Sequence, residues 1–288
     1  MRRTTFCLVL AGLAACGSPP EAAPPVAEAL AFRVPTDAEI PEGPVGVSIR
    51  RGRAILASTR DSLPDYVGNR LNCTSCHLEN GTLPHAAPWV GIYSRFPQYR
   101  SRNAKVNLIE DRINDCFERS LVGKGLPRDG RDMTDIIAYM AFLSRGVAPP
   151  GEVPGQGFRQ LEPLVPDTVR GRLLYVQQCA RCHGANGEGM VNPHPDSFPA
   201  YYPPLWGAES YSIGAGMARL RTAAAFLRAN MPFDAKGSLS DQEAFDIAGY
   251  MVSRSRPDFA RKAEDWPKGD PPPDVAYPTK AGRAPAGR

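Results

Sequence analysis

Two pentapeptides carry the most specific chemistry in this chain, Cys73-Thr-Ser-Cys-His77 and Cys179-Ala-Arg-Cys-His183. The pattern Cys-x-x-Cys-His is that of covalent haem c attachment. Cys73 and Cys76, and Cys179 and Cys182, would add to porphyrin vinyl groups, and the histidine that follows would ligate iron from one face. One copy alone could equally be half of a zinc site or a redox pair. Two copies, their histidines 106 residues apart, point to two covalently bound haem c groups.

Each iron needs a second ligand from the opposite face. In the second half, Asn230-Met231-Pro232 lies in the stretch that should supply it. Met231 is the candidate, and Met217 is the rival, which a core position would explain as well. Met190 follows His183 by only seven residues, too few to reach the far face. The first half has no methionine between His77 and Met133, and His85 sits close to His77 in a proline-bounded loop. Cys116 occupies the ligand region there instead. Lone cysteines are often buried apolar side chains, so position alone leaves both readings open. The neighbours favour a ligand. Arg112, Cys116 and Ser120 recur at i, i+4 and share one helix face. A guanidinium one turn before the sulfur and a hydroxyl one turn after it make an anion site built on a ligand. Standing alone, such a stripe would read as solvated surface.

Helices must position these groups. Residues 48–59 have helical spacing, with Ile49, Ile55 and Leu56 inward, and lead to the first motif. Residues 108–121 carry an apolar stripe of Ile109, Ile113, Phe117 and Leu121, and 132–144 close the first half. The plan repeats with helices over 167–178, 216–229 and 241–254. Gly184, Gly187 and Gly189 suit a backbone packed close to a haem. The closing helices even match, Asp135-Ile-Ile-Ala-Tyr-Met140 against Asp246-Ile-Ala-Gly-Tyr-Met251. The fold class is mainly α: two tandem class-I-like cytochrome c domains, at 45–146 and 167–256, each with one covalent haem. Residues 147–166 form a Pro/Gly-rich linker, and 257–288 an extension expected to wrap the surface and fray at its end.

The 288 residues suffice for two domains, and 30 prolines with 27 glycines imply long irregular connections. Net charge is +4, or +2 once a leader takes away Arg2 and Arg3, and no Lys/Arg run exists, so nucleic acid is not an expected partner. Residues 1–15 read as a signal peptide too short to span a bilayer. Leu13-Ala-Ala-Cys16-Gly resembles a bacterial lipoprotein processing site, with ordinary cleavage nearby as the alternative. Acyl chains contribute about 0.8 kcal/mol per buried methylene, so several on Cys16 would anchor the protein firmly. The expectation is an exported, periplasmic, membrane-attached lipoprotein with 16–44 as a flexible tether. Of seven cysteines, Cys7 leaves with the leader, Cys16 takes lipid, four hold haem and Cys116 remains.

Four stretches carry a further likeness: Cys73-Thr-Ser-Cys-His-Leu, Phe96-Pro-Gln-Tyr-Arg-Ser-Arg102, Glu110-Asp-Arg-Ile-Asn-Asp-Cys-Phe-Glu-Arg-Ser120 and Ala229-Asn-Met-Pro232. On these the chain resembles the dihaem thiosulfate dehydrogenases. The resemblance implies a first haem held by His77 and Cys116, where thiosulfate is coupled to tetrathionate, and Arg102, Arg112 and Ser120 as substrate-site residues. It implies a second haem, held by His183 and Met231, as the electron exit to a cytochrome or other redox protein. Asn230 stands where some family members carry a ligating lysine, and so favours plain His/Met ligation. Thiolate lowers an iron potential and methionine raises it, so electrons would run from the first haem to the second. Cys116 is expected to carry a thiosulfate sulfur during turnover, or else only to tune the potential. The rival functions are the cysteine-ligated haem subunit of a sulfur-oxidising multienzyme complex, and a non-enzymatic dihaem carrier, which would place methionine where Cys116 stands.

Overall fold

The apolar spacings put the longer helices where the sequence places them, to within four residues at either end. The computed structural model describes residues 33–193 and 201–279. The leader, Cys16, most of the tether and residues 280–288 lie outside the described residues. The first module runs through α1 (Pro44–Ala57), a hairpin of β1 (Gln98–Arg100) and β2 (Lys105–Asn107), α2 (Ile109–Arg119) and α3 (Arg131–Leu143). The second contains α4 (Thr168–Gln178), α5 (Leu220–Asn230) and α6 (Asp241–Val252). Local chemistry sets several ends. Pro44 opens α1 at a position where a missing N–H costs nothing. The Asp167 carboxylate accepts from the N–H groups of Val169 and Arg170, both at 3.0 Å, and starts α4. Ser240 and Glu243 form a reciprocal capping box on α6.

One helix crossing is built twice. α1 packs on α3, and α4 on α6. In each pair a glycine lets the backbones meet: a Cβ on Gly52 would lie 1.9 Å from the carbonyl oxygen of Asp135, and one on Gly171 would lie 2.0 Å from that of Asp246. Beside each glycine an arginine reaches over the same carboxylate, Arg51 to Asp135 and Arg170 to Asp246. Burial would raise the Asp246 carboxyl, but hydrogen bonds from Arg170, the Asp167 N–H and Gln242 outweigh it and hold the group below the ordinary carboxylate range.

The two cores are not independent. The first holds Ile49, Leu56, Ile113, Phe117, Met133 and Ile136, with the whole expected stripe of α2 buried. It also takes Tyr211, Ala215 and Ala218 from the second half of the chain. The hydroxyl of Ser212 donates to Arg119 O at 2.7 Å, and Asn69 Nδ2 donates to both Ser120 O and Ser210 O. The second core, around Tyr175, Ala223, Leu227, Phe245 and Ile247, lies where α4, α5 and α6 meet.

Three segments differ from their sequence reading. Ile40 is buried in the first core, so the module begins inside the stretch read as tether. The irregular stretch after the first motif contains the β1–β2 hairpin, with Tyr99 opposite Val106. The linker is fastened down: Gly155 O and Gly157 O accept from the N–H groups of His85 and Ala87 at 2.7 and 3.0 Å. Up to residue 279 the extension is packed, with Trp266, Val275 and Tyr277 buried together, and the end expected to fray lies outside the described residues. Among the described residues, no helix is long and apolar enough to cross a membrane.

Overpacking a close crossing generally costs about 1–3 kcal/mol. Gly52→Ala and Gly171→Ala are each expected to lose at least that much in denaturant unfolding of the haem-loaded protein. The losses should add, since the glycines serve separate helix pairs.

Candidate active site

The first motif opens below α1, where Cys73 N–H donates to Thr59 Oγ at 3.0 Å. His77 then turns its ring under Trp89, with centroids 4.9 Å apart. Its Nδ1 lies 2.6 Å from Ala87 O. A carbonyl can only accept, so the proton sits on Nδ1 and Nε2 keeps its lone pair for a metal. His183 repeats the arrangement, with Nδ1 2.8 Å from Pro203 O. The positive-φ glycine Gly187 lies against Trp206, where a Cβ would come within 2.4 Å of the indole.

Cys116 meets His77 in one cavity of about 120 Å³, lined also by Trp89, Arg112, Ile113 and Met140. α2 aims the sulfur inward because Ile113 and Phe117, on either side of it in sequence, are buried in the core. Burial alone would raise the thiol, but the charge of Arg112, with contacts from His77 and Arg112, outweighs it and brings the group from 9.0 down to about 6. The motif thiols behave oppositely. Burial pushes Cys73 and Cys76 up to about 12, and the nearby Cys116 adds to the effect.

This donor set fits haem c. An imidazole nitrogen and a sulfur converge on an apolar-walled cavity, beside two cysteines free of disulfide bonds. In the second module Cys179 and Cys182 are free as well, and Met231 packs into the same apolar cluster as Cys179. Both methionines touch the small cluster between modules, but the rival Met217 packs on the first core and Met231 on the second.

The three residues expected around Cys116 part company. Arg112 is in place, with Nη1 2.8 Å from the sulfur. Ser120 ends α2, its N–H donating to Cys116 O at 2.8 Å, and is not among the residues lining the cavity. Arg102 is committed elsewhere. Its Nε donates to Asp265 at 3.1 Å, its Nη2 to Gly214 O and to the Tyr277 hydroxyl, and its guanidinium stacks on Trp266. Asp265 is itself 2 % exposed and also accepts two bonds from Arg119, at 2.8 and 2.7 Å, and one from Tyr277 at 2.6 Å. The extension thus fastens the hairpin turn to α2, and Arg102 braces that turn instead of facing the sulfur. Sequence reasoning missed Arg95 and Gln156, which line the cavity and bond to each other at 3.0 Å. Gln156 sits in the linker, where composition pointed to spacing alone.

The fold and the paired sites define a cytochrome c protein with two domains. The family described as SoxA/TsdA, cytochrome c domain, matches residues 67–148, and the Cytochrome c family matches 168–255. The chain is 46% identical over 249 residues to the thiosulfate dehydrogenase of Psychrobacter arcticus, covering 85% of this chain and 74% of that one. It is 45% identical over 242 residues to that of Allochromatium vinosum, covering 82% and 88%. The "as isolated" form of the thiosulfate dehydrogenase TsdBA from Marichromatium purpuratum superposes with a TM-score of 0.74 at 36% identity, covering 80% of this chain and 50% of that chain. The chain belongs to the thiosulfate dehydrogenase family, a family of oxidoreductases.

Removing one partner of a buried ion pair costs about 3–5 kcal/mol because the other charge is left uncompensated. Asp265→Asn is expected to show a loss of that size in equilibrium unfolding, since two guanidinium groups lose their carboxylate. Ordinary stability in this variant would show that the clasp contributes nothing.

Proposed function

We propose that this protein oxidises two thiosulfates to tetrathionate at the Cys116 site and passes the electrons through the second module to an external redox protein. The single observation that supports this most is the Arg112–Cys116 contact, a partly buried guanidinium 2.8 Å from a sulfur that also faces His77. A haem c held by Cys73, Cys76, His77 and Cys116 would supply a one-electron acceptor there, and a second, held by Cys179, Cys182, His183 and Met231, would supply the exit.

The chain's own residues have a defined electrostatic task. Two unit charges 4 Å apart repel by about 1 kcal/mol in water, so two dianions face roughly four times that, and more in a drier cavity. Arg112 offsets the repulsion, and its planar fork suits sulfonate oxygens. The same guanidinium favours thiolate at Cys116, which keeps the sulfur nucleophilic in apolar surroundings. Trp89, Ile113 and Met140 exclude water from the sulfur. Arg102 acts at one remove, by holding the hairpin in place through Asp265. The same groups serve tetrathionate reduction in reverse. The leader and Cys16 support an exported enzyme held at a membrane by lipid.

Three outcomes are expected. The isolated protein with an artificial acceptor should consume two free thiosulfates per tetrathionate formed; activity only on sulfur bound to a carrier protein would favour the multienzyme-complex reading. Loss of a charge-assisted bond is worth about 1.5–3 kcal/mol, or roughly ten- to hundredfold in rate. Arg112→Ala should therefore cut thiosulfate turnover by about that factor with both haems retained by absorbance. Electron paramagnetic resonance of oxidised wild type should show a thiolate-ligated low-spin signal that Cys116→Met abolishes.

A further inference from the structure

The linker crosses the first site as a strap. Gly155 O and Gly157 O accept from the N–H groups of His85 and Ala87, and Gln156, between the two glycines, lines the cavity that holds His77 and Cys116. Both ends of its amide are engaged. Nε2 donates to Val90 O at 3.0 Å, and Oε1 accepts from Arg95 Nη1 at 3.0 Å. The strap's contacts lead back to His77. Val90 follows Trp89, whose indole lies against the imidazole, and Ala87 O is the acceptor for Nδ1.

The turn that presents Ala87 O is not one the chain adopts unaided. His85 and Ala87 both have positive φ, 64° and 48°, a left-handed conformation that residues other than glycine take only at a cost. Such strain persists where the surroundings over-determine it. The N–H groups of these same two residues are the ones that the linker carbonyls hold. The second module adds one bond to the turn, from Asn230 Nδ2 to His85 O at 3.2 Å. We propose that residues 155–157 are a positioning strap for the iron-ligating histidine, with Gln156 as its positioning residue. By holding the turn, the strap keeps Ala87 O on Nδ1, which makes Nε2 the stronger donor to a metal. A more basic imidazole favours the ferric state and so lowers the potential of the haem it ligates. The linker thereby adds to the effect expected of the Cys116 thiolate. The proposal rests on the reading of His77 as a haem ligand, and not on which sulfur compound reacts.

The test is a redox titration of the haem-loaded full chain, followed by absorbance and by electron paramagnetic resonance. Gln156→Leu keeps the wall filled and apolar while removing both amide bonds. The first haem's potential should rise, while the second's stays as in wild type and the thiolate signal is retained. Gly157→Ala acts through the backbone alone: its Cβ would meet nothing within 4 Å, but its φ of 76° is one that L side chains rarely adopt. It should move the same potential in the same direction, and it stands in for a leucine variant that fails to fold. Gly171→Ala, which the strap does not touch, should leave the first potential unmoved. A first potential unmoved or lowered in Gln156→Leu overturns the assignment of Gln156; unmoved in Gly157→Ala as well, it overturns the strap. An equal shift in Gly171→Ala also overturns it, since lost stability would then account for the change. Wild type with one haem per chain and none at the first motif removes the ligand reading itself, and this proposal with it.

Discussion

The contact between Arg112 and the sulfur of Cys116 is the constraint on which the site depends. A sulfur in apolar surroundings resists ionisation, and a guanidinium there resists losing its water. Each is tolerable only because the other is present, and one turn of α2 fixes them together. That turn holds its orientation through the side chains behind it. Ile109, Ile113, Phe117 and Leu121 press the helix into the first core, while Asn69 closes its carboxyl end by donating to Ser120 O. The chemistry on the front of the helix is a consequence of the packing on its back.

Much of this was legible in the chain. The Cys-x-x-Cys-His motifs, the α2 stripe and the matching closing helices are local patterns, and local patterns survive translation into structure. Arg112 and Cys116 meet as their i, i+4 spacing implies, whereas Ser120 lies at the helix end and does not line the cavity. The fate of Arg102 was beyond such reading because its partner Asp265 lies 163 positions away, in a segment with no composition to mark it. The linker hid Gln156 for a related reason: proline and glycine content describes how a backbone bends and says nothing of what a single amide on it will touch. Gly52 and Gly171 left a signal that could have been found. Arg51-Gly52 and Arg170-Gly171 stand at matching places in the two halves, each ahead of the matching aspartate.

The near-repeat of the two modules makes their differences informative. Both place the histidine Nδ1 on a backbone carbonyl, and both cross helices over a glycine, so the architecture that presents an imidazole is shared. What differs is the group offered from the other side. One module sets a sulfur against the guanidinium of Arg112, and the other packs a methionine among aliphatic and aromatic side chains. The proposed division into a reactive and a conductive module rests on that one short segment of an otherwise shared frame.

The bond between Asp265 and Arg119 has a consequence for how this protein could have arisen and how it can be altered. Sequence symmetry suggests two beads free to be cut apart, exchanged or re-strung. The clasp denies this, because the segment around Asp265 returns to α2, and the first bead's interior is finished by Tyr211 and Ala215 from the second half of the chain. Once duplicated units trade interior parts in this way, neither can drift or be borrowed alone. The spacing between the two modules is therefore set by one shared fold rather than by a linker between two.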